Sequence, residues 1–381
     1  MAWPLHALTV APAEKQSQTS AHCRSRDGAT RTTAPIAFDS GEPFRYDARV
    51  DEFPWPLYVS AFATGLVFGY VIQRGGFCLT RAISNAALMG DTTILRAYVL
   101  ALLVAMVGVQ ALELSGAVDI PIRPLHWVAN ITGGLLFGVG MIVAGGCAGS
   151  TWYRLGEGAI GAAVVLMGFA IGATTVRVGL LRPVREALQR PTLTAGDGRA
   201  PTLYGVAGLS PWIVIVFLAI AGAVWLLRGR GEPEHGKWPW LPTGVGVGVM
   251  ITVGWWASSF GERPLGITFA ANTGEILTYP MVGFPTRITW SMVMAVAVPV
   301  GAFVGAWHAG EFRWKLPPGW SLVKIFAGGL LMGGSALIAE GCNINQGLTN
   351  SATLALGSLL TFLSMGAGAW ATVWALYLRK G

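Results

Sequence analysis

Residues 133–147 read GGLLFGVGMIVAGGC, and residues 328–342 read GGLLMGGSALIAEGC. The copies are offset by 195 residues at both ends (328 − 133 = 195 and 342 − 147 = 195), so no gap is needed to align them. Each copy is a glycine-rich apolar stretch with the length of a helix, and each ends at a cysteine. A polar, helix-compatible turn then follows, AGSTWYRLGEG in the first copy and NINQGLTNSA in the second. The repeat therefore predicts a duplicated fold in which helices break at thiols.

The composition places this repeat in a membrane protein. Hydrophobic residues make up 53% of the 381-residue chain and charged residues only 12%, whereas a soluble domain carries about 25% charged residues. Apolar runs of about twenty residues recur, long enough to cross a hydrocarbon core of about 30 Å, and they lack the alternation of barrel strands. We therefore predict an all-α polytopic membrane protein in contact with lipid. The net charge of +7 is assigned to loops that face headgroups and not to nucleic acid.

The apolar runs divide the chain into two similar halves. Residues 1–52 are predicted to be a disordered polar tail, 53–181 a first repeat, 182–240 a connector with one span, and 241–381 a second repeat. With four spans in each repeat and one in the connector, the second repeat crosses the membrane in the opposite orientation to the first. This plan recurs in transporters, together with short broken or re-entrant helices. The nine predicted spans are 57–73, 94–116, 128–145, 157–181, 212–227, 241–260, 288–307, 322–339 and 354–378.

A helix that begins inside the bilayer has a defined chemical preference. It directs unpaired N–H groups and a partial positive charge into the cavity around it, and this end attracts anions. Glycines at 145, 146 and 341 are expected to permit the tight turn there. A thiol at the same point adds a weak donor, a polarisable surface and a potential nucleophile. Together these groups suit a small anion that carries sulfur or another soft atom.

The chain has four cysteines, of which Cys23 lies in the tail and Cys78, Cys147 and Cys342 lie in or beside spans. Their spacings (147 − 78 = 69 and 342 − 147 = 195) match no local zinc or CxxC pattern, so we predict no metal site and no cofactor. A buried free cysteine usually behaves as a small hydrophobe, and that interpretation stays open for each thiol. The matching places of Cys147 and Cys342 in the repeat favour a substrate path.

Three motifs together resemble the YeeE/YedE-type sulfur transporter family: RGGFC at Cys78, AGGCAGSTWYRLGEG at Cys147 and EGCNINQGLTNSA at Cys342. The pattern of spans from 57 to 378 is similar as well. The resemblance implies a bacterial inner-membrane protein, not an enzyme, that takes up thiosulfate or a related small sulfur anion. It also implies that short helices converge on a constriction where cysteines hydrogen-bond to the passing anion. The chain departs from the pattern at 266–268, which holds no cysteine. The residues predicted to line the path are Arg74, Gly76, Cys78, Gly146, Cys147, Ala148, Arg263, Thr268, Gly341, Cys342 and Asn343.

Several charged residues near the breaks have two interpretations. Arg74 and Arg263, offset by 189 residues, either attract the anion or extend to the membrane interface. Glu340 would repel an anion, so it is expected to pair with an arginine or to be protonated. Arg154 and Glu157 stand three residues apart and are expected to pair on one helix face.

A second function class remains open. In a membrane sulfurtransferase, a thiolate of Cys147 or Cys342 would attack the substrate and pass the persulfide sulfur inward, with a cytoplasmic sulfur-accepting protein as a candidate partner. His126, His235 and His308 lie in loops or at span ends, where none serves as the activating base, and this favours transport. Basic residues near the span ends place the C-terminus in the cytoplasm.

Overall fold

The computed structural model describes residues 55–194, 200–228, 236–261, 264–281 and 288–379. The predicted tail of residues 1–52, with Cys23, and the single residues His235 and Arg263 lie outside these ranges. The helices, numbered in chain order, are α1 Trp55–Arg74, α2 Leu79–Met89, α3 Thr93–Leu114, α4 Trp127–Val143, α5 Ala148–Gly156, α6 Ile160–Arg177, α7 Arg182–Gln189, α8 Leu203–Ala207, α9 Pro211–Arg228, α10 Trp240–Ser258, α11 Ala270–Met281, α12 Trp290–His308, α13 Gly319–Ile338 and α14 Leu356–Val373.

Nine helical segments within the described ranges are long and apolar enough to cross a membrane. Two of them are compound, because α2 continues α1 after a break and α5 continues α4 in the same way. The prediction of an all-α polytopic membrane protein with nine spans is therefore confirmed. The predicted limits differ from the ends of the observed α-helices by five residues or fewer, the largest difference being the end of α14 at Val373 instead of 378.

Pairs of spans pack backbone against backbone. A Cβ atom placed on Gly301 of α12 would lie 1.8 Å from the carbonyl oxygen of Leu66 in α1. A Cβ atom on Gly172 of α6 would lie 2.1 Å from the carbonyl oxygen of Leu330 in α13. Helices in lipid associate through such close contacts, since the lipid tails are as apolar as their side chains. The glycine-rich stretches are therefore the packing faces of the spans.

The two copies of the repeated stretch lie side by side. Gly133 of α4 packs against Ala339, while Gly328 of α13 packs against Ala144. Early residues of one copy thus meet late residues of the other, so α4 and α13 run antiparallel. The break after α4 and the break after α13 therefore lie at opposite ends of this helix pair.

The span α9 lies at the edge of the bundle. It packs against α3, where Gly222 contacts Leu103. Large apolar side chains along α9 remain exposed, including Phe217 and Ile220. In a membrane protein such a surface faces lipid.

Candidate functional site

Three free thiols mark the starts of short helical segments inside the bundle. Cys78 immediately precedes α2, Cys147 immediately precedes α5, and Cys342 precedes a helical stretch that contains a wide π-type turn over Asn345–Thr349. All three side chains are buried, with 2% or less of their surface exposed. The sequence therefore predicted correctly that each of these cysteines stands at a helix break.

The first two thiols are in contact although 69 residues separate them in the chain. Cys78 and Cys147 are side-chain neighbours, and the hydroxyl of Ser150 lies within interaction distance of both. The Ser150 hydroxyl also donates to the carbonyl oxygen of Cys147 at 3.0 Å. The backbone N–H of Arg81 points to the sulfur of Cys78. The starts of α2 and α5 thus form one site with two sulfur atoms.

The third thiol, that of Cys342, has peptide N–H groups as neighbours instead of another thiol. Backbone N–H groups of Ile344, Asn345 and Phe269 point to the sulfur of Cys342. Phe269 directly precedes α11 and follows residues 266–268, where the family resemblance implies another cysteine. In the first half of the chain, Cys147 therefore has a second thiol beside it. In the corresponding place of the second half, Cys342 has a peptide N–H group.

Thr268, predicted to line the path, lies one residue before Phe269. Its side chain is 9% exposed, and its carbonyl oxygen accepts a hydrogen bond from Asn272 at 2.9 Å. The preceding carbonyl, that of Ile267, accepts from the Thr349 hydroxyl at 2.8 Å. The bond from Thr349 holds the 266–269 segment against the turn that follows Cys342.

The Cys78–Cys147 pair and Cys342 approach each other around Tyr98 of α3. Gly149, two residues after Cys147, packs against Ile344, where a Cβ atom would approach within 2.9 Å of Cγ1. Asn343 donates from Nδ2 to the hydroxyl oxygen of Tyr98 at 2.8 Å, and this hydroxyl lies within electrostatic reach of all three sulfur atoms. The sequence analysis missed Tyr98; the available signal was a phenol inside an apolar span, where polar groups are rare.

Glycine serves the breaks in two ways. Gly76 and Gly145 adopt left-handed backbone conformations with φ of 57° and 71°, which favour glycine. Gly341 is required by space, since a Cβ atom there would lie 2.4 Å from Oδ1 of Asn345. At this break, which follows α13, the residue in the left-handed conformation is Glu340, with φ of 60°.

The remaining predicted path residues lie beside the Cys147 thiol. Gly146 and Ala148 flank this thiol in the chain, and both are buried. A Cβ atom on Gly146 would lie 3.1 Å from the Ser150 hydroxyl. A side chain at this position would therefore require Ser150 to shift by a few tenths of an ångström.

Arg74 belongs to an ionic cluster, defined by Gln73, Arg74, Glu157, Lys237 and Glu311. Arg74 lies 3.7 Å from Glu311 and donates to the carbonyl oxygen of Gly236 at 3.0 Å. Gln73 donates from Nε2 to Glu157 at 3.1 Å and to Glu311 at 2.8 Å, and Lys237 donates to Glu311 at 2.7 Å. These contacts tie together the ends of α1, α5 and α12, so Arg74 does not simply extend to the interface, and its Nη1 is buried without a hydrogen-bond partner.

The expected pair of Arg154 and Glu157 is wrong. Arg154 donates to the carbonyl oxygen of Gly145 at 2.8 Å, while Glu157 accepts from Gln73 in the ionic cluster. The carbonyl at the break after α4 lacks an intrahelical partner and takes the guanidinium. Helix-end chemistry outweighs the three-residue spacing here.

Lys237 supplies charge to the cluster from the segment before α10, and its side chain is only 14% exposed. Lys237→Met leaves Glu311 and Glu157 short of a cation, so we expect the apparent melting temperature in detergent to fall by roughly 4 °C or more. Thermal unfolding followed by tryptophan fluorescence measures this shift. Lys324→Met, at an exposed position of α13, is the control, and equal melting of both variants would show that the cluster adds no stability.

Glu340 pairs with a histidine instead of an arginine. Its Oε1 lies 3.5 Å from Nε2 of His126, and its Oε2 is buried without a hydrogen-bond partner. The other ring nitrogen of His126 bonds to the Thr192 hydroxyl at 3.0 Å. His126 is therefore engaged at both ring nitrogens.

A partly open cavity of about 340 Å³ lies between α2, α3 and α10. Its basic lining residues are Arg81 and Lys237, and two of its wall residues, Gly75 and Ala97, neighbour Gly76 and Tyr98 in the chain. Asp91 at the rim accepts from the Thr93 hydroxyl at 2.6 Å. Burial tends to raise the pKa of Asp91. The hydrogen bonds that its carboxylate accepts from the backbone N–H and the hydroxyl of Thr93 outweigh this effect and hold the pKa below its usual range.

Within the described ranges, no group of three His, Cys, Asp or Glu side chains is arranged to hold a metal ion. The contacts of the three thiols are to other thiols, hydroxyls and peptide N–H groups. Such a set can hydrogen-bond to an anion that leaves water, and its individual contacts are weak enough to release it.

Comparison with known proteins gives one family over most of the chain. The family model described as Sulphur transport matches residues 74–371. The Thiosulfate transporter TsuA of Spirochaeta thermophila is 30% identical over 326 residues, which cover 83% of this chain and 98% of that protein. The Thiosulfate transporter TsuA of Escherichia coli K12 is 27% identical over 341 residues, covering 85% and 96%. The Probable transporter YedE of the same strain is 32% identical over 117 residues, covering 30% of this chain and 28% of that protein.

Proposed function

We propose, from the premise that this chain belongs to the sulphur transport family, that it carries thiosulfate or a related small sulfur-containing anion across the membrane. The nearly full-length match to two proteins named thiosulfate transporters supports this substrate class. The observation that carries the proposal is the set of three buried free thiols at helix breaks, grouped around one phenol. The transporter class, in place of an enzyme, agrees with the family description.

The thiols would act as successive hydrogen-bond partners for the anion. An anion that leaves water must exchange its hydration shell for protein donors, and each contact must be weak enough to break again. Cys342 with its peptide N–H groups, and the Cys78–Cys147 pair, provide two such stations, with Tyr98 between them. The cavity beside Arg81 and Lys237 would give the pair a route toward water on one side.

The architecture proposed for this route is a pair of inverted repeats, 53–181 and 241–381, separated by a connector at 182–240. The antiparallel packing of α4 and α13 supports it, as do the breaks that follow both helices. We place the protein in the bacterial inner membrane with the C-terminus in the cytoplasm. A cytoplasmic sulfur-accepting protein is the proposed partner on that side.

The direct test is uptake of radiolabelled thiosulfate by a bacterium that lacks its own sulfur-uptake systems. Cells expressing this protein are expected to accumulate label and to grow on thiosulfate, while cells with an empty plasmid do neither. Unlabelled thiosulfate should compete and equimolar sulfate should not, because sulfate has no soft sulfur atom for the thiols. Absence of uptake with normal membrane levels of the protein would contradict the proposal.

The sulfurtransferase alternative makes a different prediction. It requires a thiolate of Cys147 or Cys342 to retain one sulfur atom of the substrate as a persulfide. Mass spectrometry of the purified protein after exposure to thiosulfate is expected to show unmodified cysteines. A mass increase of one sulfur atom on either residue would favour the enzyme.

A further inference from the structure

We infer that the hydroxyl of Tyr98 and the amide of Asn343 together bind the oxygen-bearing end of the transported anion, while the thiols hold its sulfur end. The inference rests on the proposed function and adds a second recognition element to it. A path made of thiols alone would need neither a tyrosine nor an asparagine. The presence of Tyr98 and Asn343 beside the thiols therefore needs its own explanation.

The first observation is unused hydrogen-bonding capacity in a fully buried place. Tyr98 is 2% exposed and Asn343 is 0% exposed. Their mutual bond uses one amide hydrogen and one phenol lone pair, and Oδ1 of Asn343 is left buried without a partner. Among the described residues, no acceptor is bonded to the hydroxyl proton of Tyr98. Buried polar groups are nearly always satisfied, so unused ones point to a missing ligand or water.

The pair offers a donor in either orientation of the amide. With Nδ2 bonded to the phenol oxygen, the phenol O–H is free to donate into the site. With the amide rotated by 180°, the phenol would donate to Oδ1, and both N–H bonds of Nδ2 would be free instead. Asn345, 2% exposed, adds a further Nδ2 without a partner two residues later. The site therefore always presents at least one unused strong donor.

The donor is also held in place before the anion arrives. The ring of Tyr98 is stacked between Phe77, with centroids 4.4 Å apart and planes at 13°, and Phe362, at 5.9 Å and 15°. This sandwich fixes the hydroxyl, so that little conformational freedom is lost on binding.

The chemistry of a thiosulfate-type anion matches this arrangement at both ends. Its terminal sulfur is soft and suits thiols, whereas its oxygens are hard acceptors that prefer O–H and N–H donors. The fixed hydroxyl of Tyr98 lies within electrostatic range of Cys147, Cys78 and Cys342, so it can hold the oxygen end while the sulfur end contacts a thiol.

Tyr98→Phe tests the inference because it removes the hydroxyl and keeps the ring stack. We expect the dissociation constant of thiosulfate, measured by titration calorimetry on the purified protein, to rise about tenfold or more, the usual effect of losing a hydrogen bond to a charged group. Thiocyanate, a soft sulfur-bearing anion without oxygen, should bind with a constant changed less than twofold. Tyr58→Phe, which removes a hydroxyl bonded to Ile288 at an exposed position, should change neither constant.

Two outcomes would overturn the inference: a thiosulfate constant unchanged within twofold in Tyr98→Phe, or an equal loss for both anions. Asn343→Leu is the second variant, and it should also weaken thiosulfate selectively. An irreversibly unfolded fraction lowers the number of binding sites and leaves the dissociation constant unchanged. Reversible loss of the folded site would weaken both anions equally, so the thiocyanate constant detects it. If the wild-type protein binds no thiosulfate at all, the proposed function fails; if it binds and Tyr98→Phe matches it, only this inference fails.

Discussion

Replacing Cys147 by serine is expected to lower the initial rate of thiosulfate uptake at least tenfold. The serine hydroxyl is shorter and harder than the thiol, and it cannot reproduce the contact between Cys147 and Cys78 at the start of α5. A tenfold rate change corresponds to about 1.4 kcal/mol, close to the net value of one hydrogen bond. Cys342→Ser should lower the rate similarly, and the double variant should abolish growth on thiosulfate.

The control for these variants is Cys23→Ser, which changes the one cysteine that lies outside the described residues. It should take up thiosulfate within twofold of the parent. Membrane levels and melting temperatures of all variants must be compared first, because all three path thiols are buried. Growth of the double variant at the parental rate, with normal protein levels, would contradict the thiol path.

Gly301→Ala is expected to have the largest effect on folding. The added methyl group would lie 1.8 Å from the carbonyl oxygen of Leu66, and a backbone atom cannot turn aside as a side chain does. Overpacking of a core already costs about 1–3 kcal/mol, so this backbone clash should lower the melting temperature by roughly 10 °C or prevent stable expression. Fluorescence-detected size-exclusion chromatography and thermal unfolding measure both effects.

The matched control is Gly366→Ala in α14, where a Cβ atom would meet nothing within 4 Å. Alanine restricts the unfolded chain and is a better helix former, so this variant should gain about 0.5–1 kcal/mol of stability. The close α1–α12 contact would be refuted if Gly301→Ala expressed and melted like Gly366→Ala.

The sequence predicted the spans and the breaks because both are local features. Runs of apolar residues set the spans, and a glycine or cysteine between an apolar run and a polar turn marked where α4 and α13 end. The family resemblance added the substrate class, which the full-length relatives named thiosulfate transporters support. The roles of the individual path residues stay predictions.

What could not be predicted depends on contacts between distant parts of the chain. Tyr98 bonds to Asn343, 245 residues away, and no repeat or spacing relates them. Glu340 meets His126, the residue just before α4, whereas the sequence predicted an arginine partner or a protonated carboxyl group. Arg154 turns to the broken helix end instead of Glu157 because an unpaired carbonyl is the stronger local demand. Such pairings follow from the antiparallel packing of the two halves.

The peptide N–H of Phe269, standing opposite Cys342 where a thiol would complete the symmetry, makes the two ends of the row of sulfur atoms chemically unlike. Under the proposed function, an anion then binds the two faces of the protein with different half-saturation concentrations. At zero membrane potential, detailed balance still requires a passive carrier to have the same ratio of maximal rate to half-saturation concentration for influx and efflux. The asymmetry is therefore no one-way valve, and net accumulation requires a step that consumes the arriving anion or a coupled gradient.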